Sequence, residues 1–300
     1  MDDEKNLPLI TVGISTYNRK GYLADSIRSV QKQTYPNLEI IVVDDGSTDG
    51  TEEMMHKDFP DIVYVRQKNA GDASAKNKAA QLAHGKYIVF NDSDDLFLPF
   101  AVEKLYNALP AGSKGCSYGS SIRIDKDSRQ MPTRAKMKHF PSGNITKDLI
   151  RHIIVNSCGT LIPVDLFRKT GGYDSSYRVG FDYKFALELS VSVPFYSVDE
   201  PVFLRRRHDG NLSAGTYDKL GILLEILTRF FEKHPDIQKQ YAKDADLRLA
   251  DMHCKLAREA RKEKRGSTVV RKHLRESLKH GFSFLCLWRY LGTYAGFYRG

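Results

Sequence analysis

The segment Tyr87-Ile88-Val89-Phe90-Asn91-Asp92-Ser93-Asp94-Asp95 joins an apolar run to three carboxylates within four residues. The run from Tyr87 to Phe90 is short and ends at polar residues, which predicts a buried strand. Neighbouring carboxylates raise one another's pKa unless a cation lies among them, and hard oxygen ligands suit Mg²⁺ or Mn²⁺. The alternative is an acidic turn in which Asp95 caps the following helix. The segment alone leaves both interpretations open.

The alternation of strands and helices before this segment predicts an α/β fold. Apolar, β-branched runs at 9–16, 38–43 and 62–65 alternate with helical patterns at 22–31, 50–57 and 73–83. A strand, a helix and a second strand within about 35 residues form a βαβ unit, which places the two strands parallel in one sheet. We expect a Rossmann-like, open, twisted and mostly parallel sheet flanked by helices. Its carboxyl edge, where such sheets bind ligands, then carries Asp44-Asp45 and Asp92-Ser93-Asp94-Asp95.

The pattern changes after Pro99. Helical patterns follow at 101–108, 145–154, 164–170 and 181–189, extended ones at 116–125, 159–163, 195–198 and 202–205, and a basic loop at 129–141. From about residue 216 the chain is helical throughout, with an apolar stripe formed by Leu220, Leu223, Leu224, Leu227, Phe230 and Phe231. We therefore predict one domain over 1–215, with halves 1–99 and 100–215, and a basic helical extension over 216–300.

The composition is that of a globular protein. With 41% hydrophobic and 28% charged residues, the chain can bury a sizeable core. The four cysteines have no CxxC spacing, which indicates neither a zinc site nor a disulfide framework and favours a reducing compartment. The acidic start Met1-Asp2-Asp3-Glu4-Lys5 has no apolar core, so we expect no signal peptide. No run reaches the roughly 18 apolar residues that a membrane span needs.

The net charge of +9 belongs to the C-terminal tail. Residues 255–300 hold twelve Lys and Arg against three Glu, so residues 1–254 are neutral overall. The basic part runs into an aromatic, apolar part that contains Phe282, Trp288 and Tyr294. This combination favours an interfacial membrane anchor. The alternative is a pair of helices packed on the rest of the chain, with a solvated basic face.

Five separated segments carry a recognisable combination of motifs. They are residues 11–19 (TVGISTYNR), 41–49 (IVVDDGSTD), 69–77 (NAGDASAKN), 87–95 (YIVFNDSDD), and Gly171-Gly172-Tyr173-Asp174 with Asp182 eight residues on. In this order they resemble the family 2 glycosyltransferases, over roughly residues 8–215. The resemblance implies the GT-A fold and an enzyme that transfers a sugar from a nucleotide sugar with inversion at the anomeric carbon.

For the donor nucleotide, the resemblance implies a pocket at the ends of the first two strands. Thr16 and Tyr17 would line a uracil pocket, and Asp45 would accept a hydrogen bond from the uracil N3–H. The alternatives are ordinary packing of Tyr17 at a strand end and an Asp-Gly turn at Asp45. Lys76 stands where the family has Arg, so it would meet the diphosphate as a point charge and not as a bidentate fork. A solvated helical lysine is the alternative at this position.

For the metal, the resemblance identifies Asp92-Ser93-Asp94 as the DXD motif. Asp94 would bind Mn²⁺ or Mg²⁺, which would stabilise the leaving nucleoside diphosphate. Asp92 would bind the donor through its ribose or a metal-bound water. Arg207 and His208 lie in a segment that resembles the family's mobile loop: Arg207 would neutralise the leaving group, and His208 would complete the metal shell. The alternative for His208 is an ordinary loop residue.

Asp182 is the catalytic base that the resemblance implies. Inversion requires one carboxylate to accept the proton of the acceptor hydroxyl while its oxygen attacks the anomeric carbon. Most of the family has Glu-Asp at this point, whereas this chain has Phe181-Asp182. A phenyl ring beside the carboxylate removes water from it, which raises the pKa of Asp182. The alternative is that Asp182 caps a helix.

Together these residues predict a metal-dependent, inverting glycosyltransferase that uses a nucleotide sugar, with UDP-sugars preferred. Its acceptor would be a hydroxyl of a glycan, polysaccharide or lipid-linked sugar, and it would work in the cytoplasm or on the inner face of the plasma membrane. A non-catalytic nucleotide-sugar-binding or membrane-surface scaffold is the alternative. A nucleic-acid binder is disfavoured because the chain contains no recognisable RNA- or DNA-binding motif and is charge-neutral outside its basic tail. A phosphatase with an aspartyl nucleophile is disfavoured because the acidic triplet follows the fourth strand and position 96 is Leu.

Overall fold

Apolar, β-branched runs form the first four strands where the sequence predicts them. In the computed structural model, which describes residues 7–132, 140–208 and 217–281, these strands are β1 (Ile10–Thr16), β2 (Leu38–Asp44), β3 (Val63–Arg66) and β4 (Tyr87–Asp92). The helices α1 (Lys20–Gln31), α2 (Thr51–Asp58) and α3 (Asp72–Leu82) connect them. β1 pairs in parallel with β2 and β4, and β2 pairs in parallel with β3. The expectation of parallel βαβ units is confirmed in this half.

The chain divides into two units. The first comprises Met1–Ile145 and Ile154–Asn211, and the second comprises Thr146–Ile153 and Leu212–Gly300. After β4 the first unit contains α4 (Ala101–Asn107), α6 (Val164–Lys169) and α7 (Phe181–Ser190), whereas α5 (Thr146–Arg151) belongs to the second unit.

The later strands of the first unit make the sheet mixed. They are β5 (Leu96–Phe97), β6 (Cys116–Ile124), β7 (Thr160–Pro163) and β8 (Phe195–Arg206). The order across the sheet is β3-β2-β1-β4-β7-β6-β8-β5. β7 runs antiparallel to β4 and β6, whereas β8 is parallel to β6. This is the α/β architecture that the sequence predicts, with antiparallel strands added beyond β4.

Two local predictions are wrong. The separate strands expected at 195–198 and 202–205 form one strand, β8, which runs through Pro201. Proline lacks the N–H that a ladder uses, and the pairing of β6 with β8 is irregular at Ser120, which lies opposite Pro201. Such irregularities accommodate proline within a sheet. The interpretation of Asp95 as a helix cap also fails, because Leu96 begins β5 and the next helix begins at Ala101.

The core of the first unit is built around β1, its neighbouring strands and the helix α1. Every residue of β1 is buried, as expected for a central strand of a parallel sheet. Ile10, Val12 and Ile14 share a core cluster with Leu23 and Ile27 of α1. This packing holds the carboxyl ends of β1, β2 and β4 side by side.

The second unit is helical, as predicted from residue 216. Its described helices after α5 are α8 (Tyr217–Lys233), α9 (Pro235–Gln240), α10 (Ala242–Lys262) and α11 (Ser267–His280). Most of the predicted stripe on α8 is buried, including Leu223, Leu227 and Phe230. Arg151 of α5 donates to Asp244 of α10 over 2.5 Å, which ties these two helices together.

Several predictions concern the tail and the cysteines. Within 7–132, 140–208 and 217–281, no helix is long and apolar enough to cross a membrane. The aromatic part of the predicted anchor, residues 282–300, lies outside the described residues.

Cys116 and Cys158 are buried free thiols. Cys254 is disulfide-bonded, a bond that the scattered spacing of the four cysteines did not predict.

Candidate active site

Asp94 lies between Arg19 and His208 at the carboxyl edge of the sheet. Its Oδ1 is 2.9 Å from Nη1 of Arg19, and its Oδ2 is 2.9 Å from Nε2 of His208. Asp94 follows β4, Arg19 follows β1, and His208 follows β8. The Asp94 residue is only 5% exposed, so its carboxylate depends on these partners for its hydrogen bonds. The predicted association of Asp94 with His208 is present in the structure.

Tyr22 of α1 holds the end of β8 beside Asp94. Its ring stacks on the His208 imidazole, with centroids 5.2 Å apart and planes inclined by 24°. The Arg206 guanidinium lies over the same ring, 4.9 Å from its centroid. Aromatic stacking and cation–π contacts both fix the orientation of the groups that they join. The sequence analysis includes Tyr22 only in the helical pattern at 22–31 and does not predict these contacts.

Asp95 and Arg206 form a buried structural contact behind the site. The Arg206 backbone N–H donates to Asp95 Oδ1 over 2.9 Å, and its Nε–H donates to the Asp94 carbonyl over 3.0 Å. Arg206 is 2% exposed and also donates to the Lys126 carbonyl and to Ser128 Oγ. Burial, together with the nearby Asp92 and Asp94, raises the pKa of Asp95 well above its usual range. Asp95 therefore fixes β8 against the turn and does not cap a helix.

Lys76 is neither solvated nor positioned as a free cation for a phosphate. Its ammonium lies 2.6 Å from Asp92 Oδ1 and 2.7 Å from Asp72 Oδ2, with the Lys76 side chain 1% exposed. Ser15 extends the chain of contacts by donating to Asp72 Oδ1 over 2.5 Å. Burial alone would lower the pKa of Lys76, but the two carboxylates outweigh it and raise that pKa well above its usual value. Lys76 thus bridges β4 and the start of α3 and positions Asp92.

Asp45 organises the loop between β3 and α3. Its Oδ1 accepts from Gln67 Nε2 over 2.8 Å and from the Ala70 N–H over 2.9 Å, and its Oδ2 accepts from the Gly71 N–H over 2.8 Å. A carboxylate oxygen has two lone pairs, and this is the single bond at Oδ2 within the described part of the chain. Asp45 therefore shapes the loop and keeps acceptor capacity at Oδ2.

Thr16 and Tyr17 end β1 next to this loop. The Thr16 carbonyl accepts from the Asp45 N–H over 2.9 Å. Thr16 Oγ1 is buried without a hydrogen-bond partner among the described residues, and buried polar groups rarely remain so. Tyr17 is 48% exposed, which is unusual for a large aromatic side chain in this protein. The Thr16 hydroxyl is available to hydrogen-bond a planar, polar ligand, and the exposed Tyr17 ring is available to stack on it.

Asp182 lies in the first turn of α7, where Gly180 occupies the cap position with φ of 79°. Its Oδ1 accepts from the Tyr183 N–H over 2.9 Å, and its Oδ2 from the Ser157 N–H over 3.4 Å. Burial raises the pKa of Asp182, against the lowering effects of the Tyr183 N–H and of Lys76. It lines a small cleft with Asn156, Thr160 and other residues. The Phe181 ring, predicted to desolvate this carboxylate, also lies 5.4 Å from the Lys76 ammonium.

Asn77 holds the Gly171-Gly172-Tyr173 turn against α3. Its amide donates to the Tyr173 carbonyl over 2.7 Å, and its Oδ1 accepts from the Tyr173 N–H over 2.8 Å. A Cβ on Gly172 would lie 2.6 Å from Asn77 Oδ1, and the φ of Gly172 is 72°. Only glycine suits this close approach and this backbone conformation. The turn thereby fixes the segment that leads to α7 and Asp182.

Arg207 continues the ladder beyond β8. Its N–H donates to the Ile124 carbonyl over 2.8 Å. Burial, together with the neighbouring guanidiniums of Arg205 and Arg123, lowers the pKa of Arg207. It shares the end of β8 with His208, so the structure brings both predicted loop residues to the edge that carries Asp94.

The Asp94–His208 pair fits a divalent cation. A carboxylate oxygen and an imidazole nitrogen are ligand types for Mn²⁺ and, for the carboxylate, Mg²⁺. Residues 7–132, 140–208 and 217–281 hold no group of three or more His, Cys, Asp or Glu placed for a metal. Among the described residues, Asp94 and His208 are the two side chains that would hold the cation here. Sites that hold Mg²⁺ through one or two carboxylates complete the shell with substrate phosphates and water.

The sheet and its edge define a glycosyltransferase of the GT-A fold. The chain belongs to glycosyl transferase family 2, because the model of that family matches residues 11–170. Among curated proteins, chondroitin synthase from Escherichia coli is 29% identical over 71% of this chain. That match covers 31% of the synthase, so the chain spans about a third of this relative's length. The family predicted from the five motifs is confirmed.

Two solved structures confirm the fold. S. aureus TarS 1-349 in complex with UDP-GlcNAc is similar with a TM-score of 0.60 and 14% identity, over 90% of this chain and 88% of that one. Mannosyltransferase PcManGT from Pyrobaculum calidifontis, in complex with GDP-Man and Mn²⁺, is similar with a TM-score of 0.61 and 19% identity. This second match covers 98% of this chain and 81% of the mannosyltransferase. At these identities the likeness concerns the fold.

Proposed function

We propose that this enzyme transfers a sugar from a UDP-sugar to a hydroxyl of a glycan acceptor, in a single displacement that depends on Mn²⁺ or Mg²⁺. The observation that carries the proposal is the contact of Asp94 with His208 over 2.9 Å at the carboxyl edge of the sheet. A cation held by these two groups would meet a donor diphosphate at the place where open α/β sheets bind nucleotides. When bound, the cation supplies Lewis-acid stabilisation of the leaving nucleoside diphosphate.

The nucleobase site is proposed at Thr16, Tyr17 and Asp45. The exposed Tyr17 ring offers a stacking surface, and Thr16 Oγ1 and Asp45 Oδ2 offer polar contacts at its edge. An acceptor such as Asp45 Oδ2 matches the N3–H of uracil. The similar solved structures hold UDP-GlcNAc in one case and GDP-Man in the other, so the preference for uracil rests on the acceptor at Asp45.

The base is proposed to be Asp182. It accepts the proton of the acceptor hydroxyl while the hydroxyl oxygen forms a bond to the anomeric carbon. The bond from that carbon to the phosphate oxygen breaks, and the nucleoside diphosphate leaves with both electrons. Two N–H groups hold the carboxylate, and its raised pKa makes it a stronger base than an ordinary aspartate. Asp92, held by Lys76, is proposed to bind the donor beside it.

The acceptor is proposed from the similarity to a curated relative, and the location from the basic surface of the C-terminal helices. The similarity to chondroitin synthase supports a growing glycan as acceptor, and residues 1–215 as the catalytic domain. Exposed basic residues on α10 and α11, including Arg258, Arg261 and Lys272, support docking of the 216–300 extension on an anionic membrane, with the enzyme in the cytoplasm. Salt-sensitive binding of the full chain to vesicles containing phosphatidylserine would support docking. Equal binding to neutral vesicles would contradict it.

The test of the function is a panel of UDP-, GDP- and CMP-sugars with and without Mn²⁺. Each is scored for thermal stabilisation of the protein and for release of free nucleotide. A ligand that binds only the folded state stabilises it and therefore raises the melting temperature. At a ligand concentration of 100 times the Kd, the stabilisation is about 2.7 kcal/mol. We expect stabilisation by UDP-sugars that requires Mn²⁺ or Mg²⁺. Stabilisation that is unchanged in EDTA would contradict the metal dependence, and stabilisation by GDP-sugars alone would contradict the uracil preference.

A further inference from the structure

Arg123 and Arg205 lie side by side on one face of the sheet, next to the site. They are register partners in the parallel pair β6–β8, and partner residues of adjacent strands project to the same face, with strands about 4.8 Å apart. Arg207 returns to that face two residues later. Their neighbours in register, Ile124 and Arg206, are both 2% exposed and lie on the opposite face. We call Arg123, Arg205 and Arg207 the arginine cluster.

The arginine cluster concentrates positive charge. Among the residues that the structure describes, neither Arg123 nor Arg205 has a side-chain hydrogen bond or an ion pair. Their register pairing places the Arg123 and Arg205 backbones on adjacent strands about 4.8 Å apart, with both side chains on one face. Like charges at this distance are stabilised by an ion of opposite sign among them.

The arginine cluster borders the carboxylates of the site. Arg206, the residue after Arg205, donates its backbone N–H to Asp95 Oδ1 over 2.9 Å, so Arg205 lies next to the contact that joins β8 to the acidic turn. Phe203, two residues before Arg205 and thus on the same face of β8, packs on Gly159, where an added Cβ would lie 2.9 Å from Phe203 Cδ1. Ser157, two residues before Gly159, is the residue whose N–H donates to Asp182. Arg205 therefore lies on the face of β8 that packs against the segment leading from Ser157 to β7, and the exposed Arg123 forms the outer end of the cluster.

We propose that Arg123 and Arg205, with Arg207 beside them, bind an anionic group carried by the saccharide that this enzyme transfers or extends. The inference rests on the proposed function and specifies its substrate class: an acidic saccharide, with a carboxylate or a phosphate. Guanidinium groups bind both kinds of oxyanion through paired, charge-assisted hydrogen bonds. The donor diphosphate is accounted for by the cation at Asp94 and His208, which leaves Arg123 and Arg205 for a second anion.

The first experiment measures anion binding without any assumption about the sugar. Wild type, Arg123→Gln, Arg205→Gln and the double variant are melted in sodium sulfate and in sodium chloride of equal ionic strength. Lys114→Gln is the matched control, because Lys114 is exposed and lies just before the other end of β6. Sulfate stabilises proteins generally, so the measured quantity is the sulfate shift that each arginine variant loses relative to wild type and Lys114→Gln. We expect equal shifts in wild type and Lys114→Gln and a smaller shift in the double variant. An equal shift in all variants would overturn the proposal.

The second experiment separates donor from acceptor. The donor arm compares UDP-glucuronic acid with UDP-glucose, and the acceptor arm compares oligosaccharides ending in glucuronic acid with those ending in glucose. Binding is measured by titration calorimetry with Mn²⁺ present, and with UDP added in the acceptor arm. We expect wild type and Lys114→Gln to bind the acidic member of one arm at least tenfold more tightly, equivalent to about 1.4 kcal/mol. Arg123→Gln and Arg205→Gln should reduce that preference at least threefold.

The outcomes distinguish this proposal from the proposed function. If wild type binds UDP with Mn²⁺ but shows no acidic preference in either arm, the proposal is overturned and the function stands. If Arg123→Gln and Arg205→Gln lose UDP affinity itself, the arginines serve the diphosphate, and the second anion is again overturned. If wild type shows the sulfate effect and an acidic preference but no dependence on Mn²⁺, the anion site stands and the metal-dependent function fails.

Discussion

The Lys76 ammonium and the Asp92 carboxylate lie 2.6 Å apart, although the lysine side chain is almost completely buried. Lys76 has a second carboxylate partner, Asp72, four residues earlier on the same helix. Removing one member of such a group leaves the other charges without compensation. Lys76, which the resemblance predicts at the donor diphosphate, therefore acts as a positioning residue for Asp92.

Replacing Lys76 by Met should destabilise the protein. Loss of a fully buried partner costs about 3–5 kcal/mol, and because the Asp92 and Asp72 side chains are 34% and 28% exposed, screening reduces this to about 2 kcal/mol. The measurement is urea denaturation at pH 7. Lys78→Met, on the same helix and less buried, is the control and should change the stability by less than about 0.5 kcal/mol. Equal stability of the two variants would show that Lys76 is not held between the carboxylates.

Replacing Asp94 by Asn should abolish the metal-dependent stabilisation by UDP. The substitution removes the charge that pairs with Arg19 and His208, while an amide is a poor ligand for Mn²⁺. We expect the thermal shift with UDP and Mn²⁺ to fall to that with UDP alone, and sugar transfer to fall at least a hundredfold. Asp25→Asn, at an exposed position of α1, should keep both. A full Mn²⁺-dependent shift in Asp94→Asn would rule out Asp94 as the ligand.

Asp182→Asn should remove sugar transfer and leave donor binding intact. General-base catalysis contributes about 10²–10⁴ in rate, and an amide cannot accept the proton. Because burial raises the pKa of Asp182, and the base must be ionised to act, transfer by wild type should fall as pH decreases at a higher pH than an ordinary aspartate would cause. The measurement is kcat/KM from pH 4 to pH 8, with Asp165→Asn as the control. Full activity of Asp182→Asn would exclude this residue as the base.

Asp95→Asn should stabilise the protein increasingly as pH rises. The pKa of Asp95 is raised in the folded state, so the folded state holds the proton more tightly than the unfolded state does. Its contribution to stability is greatest below the pKa of the unfolded chain, near 3.9, and is lost as pH rises through the raised folded pKa. An amide keeps an acceptor for the Arg206 N–H and never ionises. Denaturation of both proteins from pH 4 to pH 8 measures the difference, with Asp127→Asn as the control. A difference that does not vary with pH would contradict the raised pKa.

The first half of the fold follows from local pattern, whereas the second half does not. Each strand from β1 to β4 is a contiguous apolar run, and a helix connects each of these strands to the next, so period and length suffice to predict them. β8 runs through Asp199, Glu200 and Pro201, which look like a turn in sequence. Its continuity comes from pairing with β6, about 80 residues earlier, and no local pattern contains that information. For the same reason the two-residue strand β5 was not predicted.

In the site, too, local motifs identify some residues, whereas contacts between distant residues have no local signal. Asp94 and Asp182 are recognisable because the motifs around them are local. The contact between Asp94 and His208 joins residues 114 apart, so only the family resemblance, and no local pattern, predicts it. The role of Arg206 was not predicted, because nothing in the sequence distinguishes it from Arg205 and Arg207. The burial of Lys76 had a local signal that the interpretation did not use, since Asp72 and Lys76 are spaced to pair on one helix.

The position of Tyr22 has a consequence for the assembly of the enzyme during synthesis. This residue of the first helix holds Arg206 and His208, which belong to the last strand of the unit and the residues just after it. A nascent chain that has emerged only through β4 carries the nucleotide-side residues but has neither the imidazole beside Asp94 nor the N–H that binds Asp95. Because domains fold as units during translation, such a chain would lack the complete proposed cation site until residue 208 left the ribosome. The catalytic unit would thus become complete only after its first helix had packed against the end of its last strand.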